Sequence, residues 1–187
     1  MSQLDCSDSR IEEGSQEFHK LYKLGGVLGK GGFGTVFTTI RKKDKLHVVV
    51  KEVYKAKIIK KIADGKTPLE VALMQQVRDV PGAIRILDWF EMSKSIFIVM
   101  EKFTFQDLFD YIIEHGPLKE SKAWMIFKQV LNTILLCHIN GVLHRYIKDE
   151  NALIHRENLS VKLIDFGSGT YHHNDLYNEF EGESFPL

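Results

Sequence analysis

Gly29, Gly31, Gly34, Lys51, Glu70 and Asp165 are the residues whose types and spacing can handle a phosphate chain and its metal. "LGKGGFGTV" carries the pattern G-x-G-x-x-G at Gly29, Gly31 and Gly34. Glycines at such places let the backbone approach phosphates with no Cβ in the way. The same pattern also fits a plain tight turn. A dinucleotide fingerprint needs a helix directly after the glycines, whereas Thr35-Val36-Phe37-Thr38-Thr39-Ile40 is strand-like. A P-loop fails as well, because Leu24 stands where its first glycine belongs and Gly31 where it needs Ser or Thr. A glycine-rich hairpin between two strands remains. "HVVVK" then puts Lys51 on a strand, where an ammonium can reach α- and β-phosphates or simply face solvent. Glu70 has two roles open to it. It can pair with Lys51, or complete a capping box with Thr67 at the start of a helix. "KLIDFGSG" supplies Asp165, a carboxylate of the kind Mg²⁺ takes alongside phosphate oxygens.

These groups must be positioned by the elements around them. "YKLGGVLG", "TVFTTI" and "LHVVVKEV" read as strands, with "RKKDK" as the turn between the last two. "TPLEVALMQQVRD" reads as a helix with Thr67 as N-cap and Pro68 at its first position. "AIRILDWFEM" and "SIFIVMEKF" add two strands, for five strands and one main helix. After Glu101 the apolar spacing becomes helical in "FQDLFDYIIEHG" and "ESKAWMIFKQVLNTILLCHING", with Gly116 and Gly141 as stops. Two short strands, "NALI" and "VKLID", follow. The expected boundary between a strand-rich and a helix-rich lobe lies near Glu101–Asp107. Residues 1–20 are polar and acidic at their start and are expected to form a disordered tail.

The motifs now stand in order: glycine hairpin, strand lysine, helix glutamate, "LHRYIKDENALI" and Asp165-Phe166-Gly167. This arrangement resembles a eukaryotic-type protein kinase. "LGKGGFGTVF", "IRILDWFE", "QDLFDYI", "GVLHRYIKDEN" and "LIDFGSG" are similar to the Pim family of serine/threonine kinases, and the likeness runs from about Tyr22 to Gly182. It implies an α+β, protein-kinase-like fold. A β-rich N lobe with one main helix spans 21–103, and a partial, mainly helical C lobe spans 104–187.

The resemblance also implies a site. Leu28, Gly29, Lys30, Gly31, Gly32, Phe33 and Gly34 cover the phosphates of ATP, and Lys51 and Glu70 form the N-lobe ion pair. Val36, Val49 and Leu153 sandwich adenine, with Met100 as gatekeeper and Glu101 to Phe103 as hinge. Asn151 and Asp165 hold Mg²⁺, and Lys148 faces the γ-phosphate. His144 and Phe166 are packing residues. Asp107, Asp110 and Glu150 match positions that favour basic peptides, or are solvated surface acids.

Four departures from that family matter. Tyr146 replaces the catalytic Asp, and a phenol is neutral at pH 7. General-base action is worth about 10²–10⁴ in rate. The sequence ends at Leu187 without an A-P-E segment, so an incomplete C lobe is expected, with the apolar face carrying Trp124 and Phe127 partly exposed or bound to a protein partner. The hinge "EKFTFQDL" has neither the proline nor the extra residue of the Pim hinge, so Phe103 keeps a backbone N–H for adenine. Val49 stands where Ala is usual, and its methyls narrow the adenine roof.

The family function is transfer of the ATP γ-phosphate to Ser/Thr of basic proteins. For this chain weak or absent activity is expected. The alternatives are a nucleotide-binding pseudokinase acting as scaffold or competitor, and an incomplete gene product. Bulk properties agree with a single domain or slightly more. There are 187 residues, 44% hydrophobic and 27% charged, with net charge zero. Zero net charge gives no signal for nucleic acid or membrane. Residues 41–66 carry ten Lys/Arg against three acids, which fits either an anion patch or a solvated edge. Cys6 and Cys137 form no disulfide or zinc pattern. With no apolar leader or acylation signal at the start, the expected location is cytoplasmic, a nuclear one also being open.

Overall fold

The computed structural model describes residues 5–31, 34–58, 60–102 and 106–173, with side chains from residue 13 onward. Tyr22–Gly31 (β1), Gly34–Arg41 (β2), His47–Tyr54 (β3), Ile86–Glu91 (β4) and Ser95–Glu101 (β5) build one antiparallel sheet in the order β1-β2-β3-β5-β4. These segments are rich in β-branched and aromatic residues, whose side chains pack on a pleated surface. The register puts Val36 opposite Lys51 and Val49 opposite Met100. Directly opposed residues project to the same face, and alternation carries Val49 and Lys51 to one side. Val36, Val49, Lys51 and Met100 therefore share a face.

The opposite face carries Val48, Val50 and Val99, all fully buried. What covers it is a helix, Asp5–Leu21 (α1), in the segment expected as a disordered tail. Phe18 is fully buried. Its ring stacks on Tyr22 at 5.6 Å and meets Phe90 and Phe97 edge-on at 5.4 and 5.0 Å. Burying one phenyl and the valines beneath it outweighs the polarity of the rest of the helix, because only one stripe of a helix must be apolar to dock. Gly14 allows the approach, since a Cβ there would lie 2.5 Å from the Glu91 carbonyl oxygen. Lys42 Nζ donates to the His19 carbonyl at the helix end, and the Tyr22 hydroxyl donates to Asp88.

The chain divides into two compact units, residues 1–71 with 86–102, and residues 72–85 with 103–187. Residues 72–85, expected in the strand-rich lobe, group with the helical unit for a local reason. Ile84 N and Leu163 O, and Leu163 N and Gly82 O, are hydrogen-bonded at 2.9 and 2.7 Å. Gly82 lies so close to Thr133 that a Cβ would stand 1.8 Å from its hydroxyl. Leu69–Gln76 (α2) is the helix expected from "TPLEVALMQQVRD".

The second unit contains Gln106–Asp107 (β6), Leu108–His115 (α3), Glu120–Ile139 (α4), Val142–Leu143 (β7), Ala152–Ile154 (β8), Val161–Leu163 (β9) and Thr170–Tyr171 (β10). Gly116 at φ 74° and Gly141 at φ 76° end or follow the two long helices, as expected of residues that tolerate the left-handed region. Tyr111, Ile126, Ala152, Ile154, Val161 and Leu163 form the core of this unit. Trp124, Phe127, Leu135 and Ile139 of α4 are 60%, 54%, 49% and 79% exposed, so the apolar face read from the sequence is open in this structure. The β-rich and helical units together are the expected protein-kinase-like α+β fold.

Candidate active site

In the sheet unit, β1 and β2 form the glycine hairpin, with Gly29 opposite Val36 and Gly31 opposite Gly34. Gly34 is required by space, since a Cβ would lie 1.7 Å from the Glu52 carbonyl oxygen. Leu28 and Lys30 lie on the same strand, while Gly32, Phe33 and Phe103 fall outside the described residues.

Lys51 Nζ donates to Glu70 Oε1 at 2.7 Å, both side chains being mostly buried. The two roles open to Glu70 are thereby separated. The capping box is not made, because the Thr67 hydroxyl and backbone N–H both donate to Asp64, at 2.6 and 2.8 Å. Asp64, five residues before α2 begins, takes the donor that Glu70 would have satisfied. Those same hydrogen bonds hold the Asp64 carboxyl below its ordinary range, the Thr67 hydroxyl being the largest cause. Glu70 is left free for the lysine. Met100 and Glu101 end β5 at half-buried positions.

In the helical unit, the catalytic-loop segment and Asp165-Phe166-Gly167 are one hydrogen-bonded assembly. His144, buried, has its Nε2 2.9 Å from the Ile164 carbonyl oxygen, and its ring lies 4.7 Å from that of the fully buried Phe166. Both are packing residues, as expected. Burial lowers the His144 pKa. Arg145 Nε donates to the Ser168 carbonyl at 2.8 Å. Asn151 is buried, and its amide donates to the Tyr146 carbonyl at 3.0 Å while its own carbonyl accepts from Ile164 N at 3.0 Å. Asn151 and Asp165 are thus tied to the same short ladder, β8 and β9, with Leu153 between them on β8. Arg145 and Asp165 sit at φ 63° and 64°. Non-glycine residues in that region are uncommon and cluster where the surrounding structure holds them.

Tyr146 does more than vacate the place of an acid. Lys148 Nζ lies 4.6 Å from the centroid of its ring and 3.4 Å from Glu150 Oε1. Hydrogen bonding to Tyr146, with a smaller contribution from Glu150, pushes the Lys148 ammonium up to about 12. The lysine expected at the γ-phosphate is therefore held by the residue two positions before it.

The acids expected to receive a basic peptide have local partners. Asp107 Oδ1 accepts from Asp110 N at 2.8 Å and caps α3. Glu150 lies beside Lys148, and Asp110 is exposed in the first turn of α3. Sequence reasoning missed Asp64, whose signal was an acid three residues before the Thr that it engages. In the helical unit, the Asn151 carboxamide and the Asp165 carboxylate are ligands of the kind Mg²⁺ takes; in the sheet unit, the buried Lys51–Glu70 pair is of the kind that meets phosphates.

The sequence matches the family described as the protein kinase domain over residues 22–185. Over 186 residues it is 40% identical to the serine/threonine-protein kinase pim-2 of Danio rerio, covering 92% of this chain and 60% of that protein. Over 172 residues it is 37% identical to the serine/threonine-protein kinase prk-2 of Caenorhabditis elegans, covering 90% of this chain and 39% of the relative. A PAS domain-containing serine/threonine-protein kinase of Mus musculus is 39% identical over 161 residues, 83% of this chain and 12% of that protein. The chain thus spans less than two thirds of the length of each of these relatives. No helix among the described residues is long and apolar enough to cross a membrane. With the glycine hairpin, the Lys51–Glu70 pair and the Asp165-Phe166-Gly167 turn in the order its sequence sets, this chain belongs to the protein kinase domain family.

Proposed function

We propose that this chain is a Pim-type serine/threonine kinase homologue that binds Mg-ATP and transfers its γ-phosphate poorly or not at all. The 2.7 Å Lys51–Glu70 ion pair carries the nucleotide half of this reading. A lysine held on a strand by a buried glutamate is oriented to meet α- and β-phosphates. Asn151 and Asp165 would hold Mg²⁺, which supplies charge neutralisation of the phosphates when bound. Val36, Val49 and Met100 on the same sheet face as Lys51 favour an adenine ring there, with Leu153, Leu28 and the residues around Glu101 as further contacts. The substrate class, basic protein segments, rests on the Pim-type relatives and on Asp107, Asp110 and Glu150.

The weak-transfer half rests on Tyr146. A carboxylate at that position takes up the substrate proton as a general base; a phenol does not supply that carboxylate. Its grip on Lys148 favours a second reading, a nucleotide-binding scaffold or competitor, because that cation must leave the Tyr146 ring before it can meet a γ-phosphate.

The test is a thermal-shift titration with Mg-ATP. A ligand that binds only the folded state stabilises it by about 2.7 kcal/mol at a hundredfold excess over Kd. The melting midpoint should rise with Mg-ATP, and Lys51→Ala should remove the rise. A flat midpoint at millimolar Mg-ATP overturns the proposal.

A further inference from the structure

His138 and His172 play no part in the nucleotide site, yet their rings meet. Their centroids lie 4.6 Å apart at an interplanar angle of 57°, and both residues are exposed. The backbone holds them there. His138 is in the last turn of α4, and its carbonyl accepts from Gly141 N at 2.8 Å. The Gly141 carbonyl in turn accepts from His172 N at 2.8 Å. Immediately before His172, Thr170 and Tyr171 pair with Leu143 and Val142. Two imidazoles are therefore presented side by side by a helix end and a strand end that are hydrogen-bonded to each other.

We propose that His138 and His172 form a two-histidine site for a divalent transition ion of the zinc class. Imidazole nitrogen suits such ions. A metal–nitrogen bond of about 2.0–2.1 Å puts each ring centroid about 3.2 Å from the ion, so two rings at the tetrahedral angle have centroids about 5.2 Å apart. The observed 4.6 Å is within about 0.6 Å of that spacing, and the rings are tilted by 57° rather than stacked. Among the described residues no group of three His, Cys, Asp or Glu side chains gathers as a metal cluster, so water completes the coordination. A bound ion ties α4 to the segment that follows Asp165-Phe166-Gly167.

The experiment is calorimetric titration of Zn²⁺ into the full chain with Mg²⁺ present throughout. Mg²⁺ takes oxygen ligands and leaves an imidazole site unoccupied. One Zn²⁺ site is expected, with a rise in the thermal midpoint. His138→Ala and His172→Ala should each weaken that site by about tenfold or more and cancel the rise, while His155→Ala should change neither. Both positions are exposed, so the folded baseline in EDTA should survive; His138→Gln and His172→Gln repeat the test should either alanine variant misfold. Zn²⁺ affinity and midpoint rise unchanged in the His138 variants overturn the proposal, since the ion would then rest on the histidines after β10 alone.

Discussion

At the scale of single residues, the site is governed by which partner a polar atom finds. His144 shows this most clearly. Its Nε2 lies 2.9 Å from the Ile164 carbonyl oxygen, which requires a donor, and its Nδ1 lies 3.4 Å from the Tyr146 backbone N–H, which requires an acceptor. Only the neutral ring offers one of each. Burial lowers its pKa, more than the Ile164 hydrogen bond and the Asp165 charge raise it. The folded protein therefore binds a proton here less readily than the unfolded chain, whose histidine titrates near 6.5. The stability this group contributes is present above about pH 6.5 and is lost as pH falls through the lower, folded value. The urea midpoint should accordingly be lower at pH 5.5 than at pH 7.5. His144→Asn, which keeps a donor for Ile164 but does not titrate, should reduce that difference. Equal pH dependence in parent and variant would sink this account. The neutral state of His144 was not legible in the sequence, because it depends on a carbonyl twenty residues away. Its packing role was legible, since it stands in "LHRY" beside a strand that must be covered.

At the scale of elements, the sheet was legible because β-branched runs alternate and are punctuated by glycine. The glycine hairpin and both long helices were legible for the same kind of reason. Helix α1 was not. Its sequence, "DCSDSRIEEGSQEFHKL", is polar and rich in acids, and its docking rests on one buried aromatic ring and one glycine against a backbone. No periodicity over the segment signals that, because the information lies in the valine face of β3 and β5 that would otherwise meet water. The capping box stayed open in the sequence for a related reason: Thr67 and Glu70 have the right spacing, but Asp64 and Lys51 offer each a better partner. The weight placed on Phe18 is open to measurement. Truncating a buried phenylalanine costs about 3–5 kcal/mol. Phe18→Ala should lower the unfolding free energy by that order and raise hydrogen exchange across α1. Glu13→Ala, on the exposed side of the same helix, should stay within about 0.5 kcal/mol of the parent. A small effect of Phe18→Ala would mean that α1 does not hold the sheet face.

At the scale of the whole molecule, catalysis needs a proton acceptor and a place for the peptide, and the two are separable. On the proposed reading Tyr146 removes the first, an effect worth about 10²–10⁴ in rate. The second, positioning of a peptide hydroxyl against the γ-phosphate, supplies several kcal/mol of the barrier, up to about 7–11 in the best-aligned cases. This chain covers 60% of its pim-2 relative and 39% of prk-2. For a protein of these 187 residues alone, restoring the carboxylate is expected to leave transfer near background. It also exchanges a ring that holds Lys148 for a carboxylate that can still attract it, so lysine release is not guaranteed. The measurement is phosphorylation of a basic peptide by three proteins: the chain itself, its Tyr146→Asp variant, and that variant joined to the C-terminal remainder of a complete Pim-type kinase lobe. Only the third should turn over clearly, and Lys51→Ala in it should abolish the turnover. Robust phosphorylation by the unmodified chain, lost on Lys51→Ala, would show that a tyrosine suffices where the acid stood, and the reading of Tyr146 would fall with it.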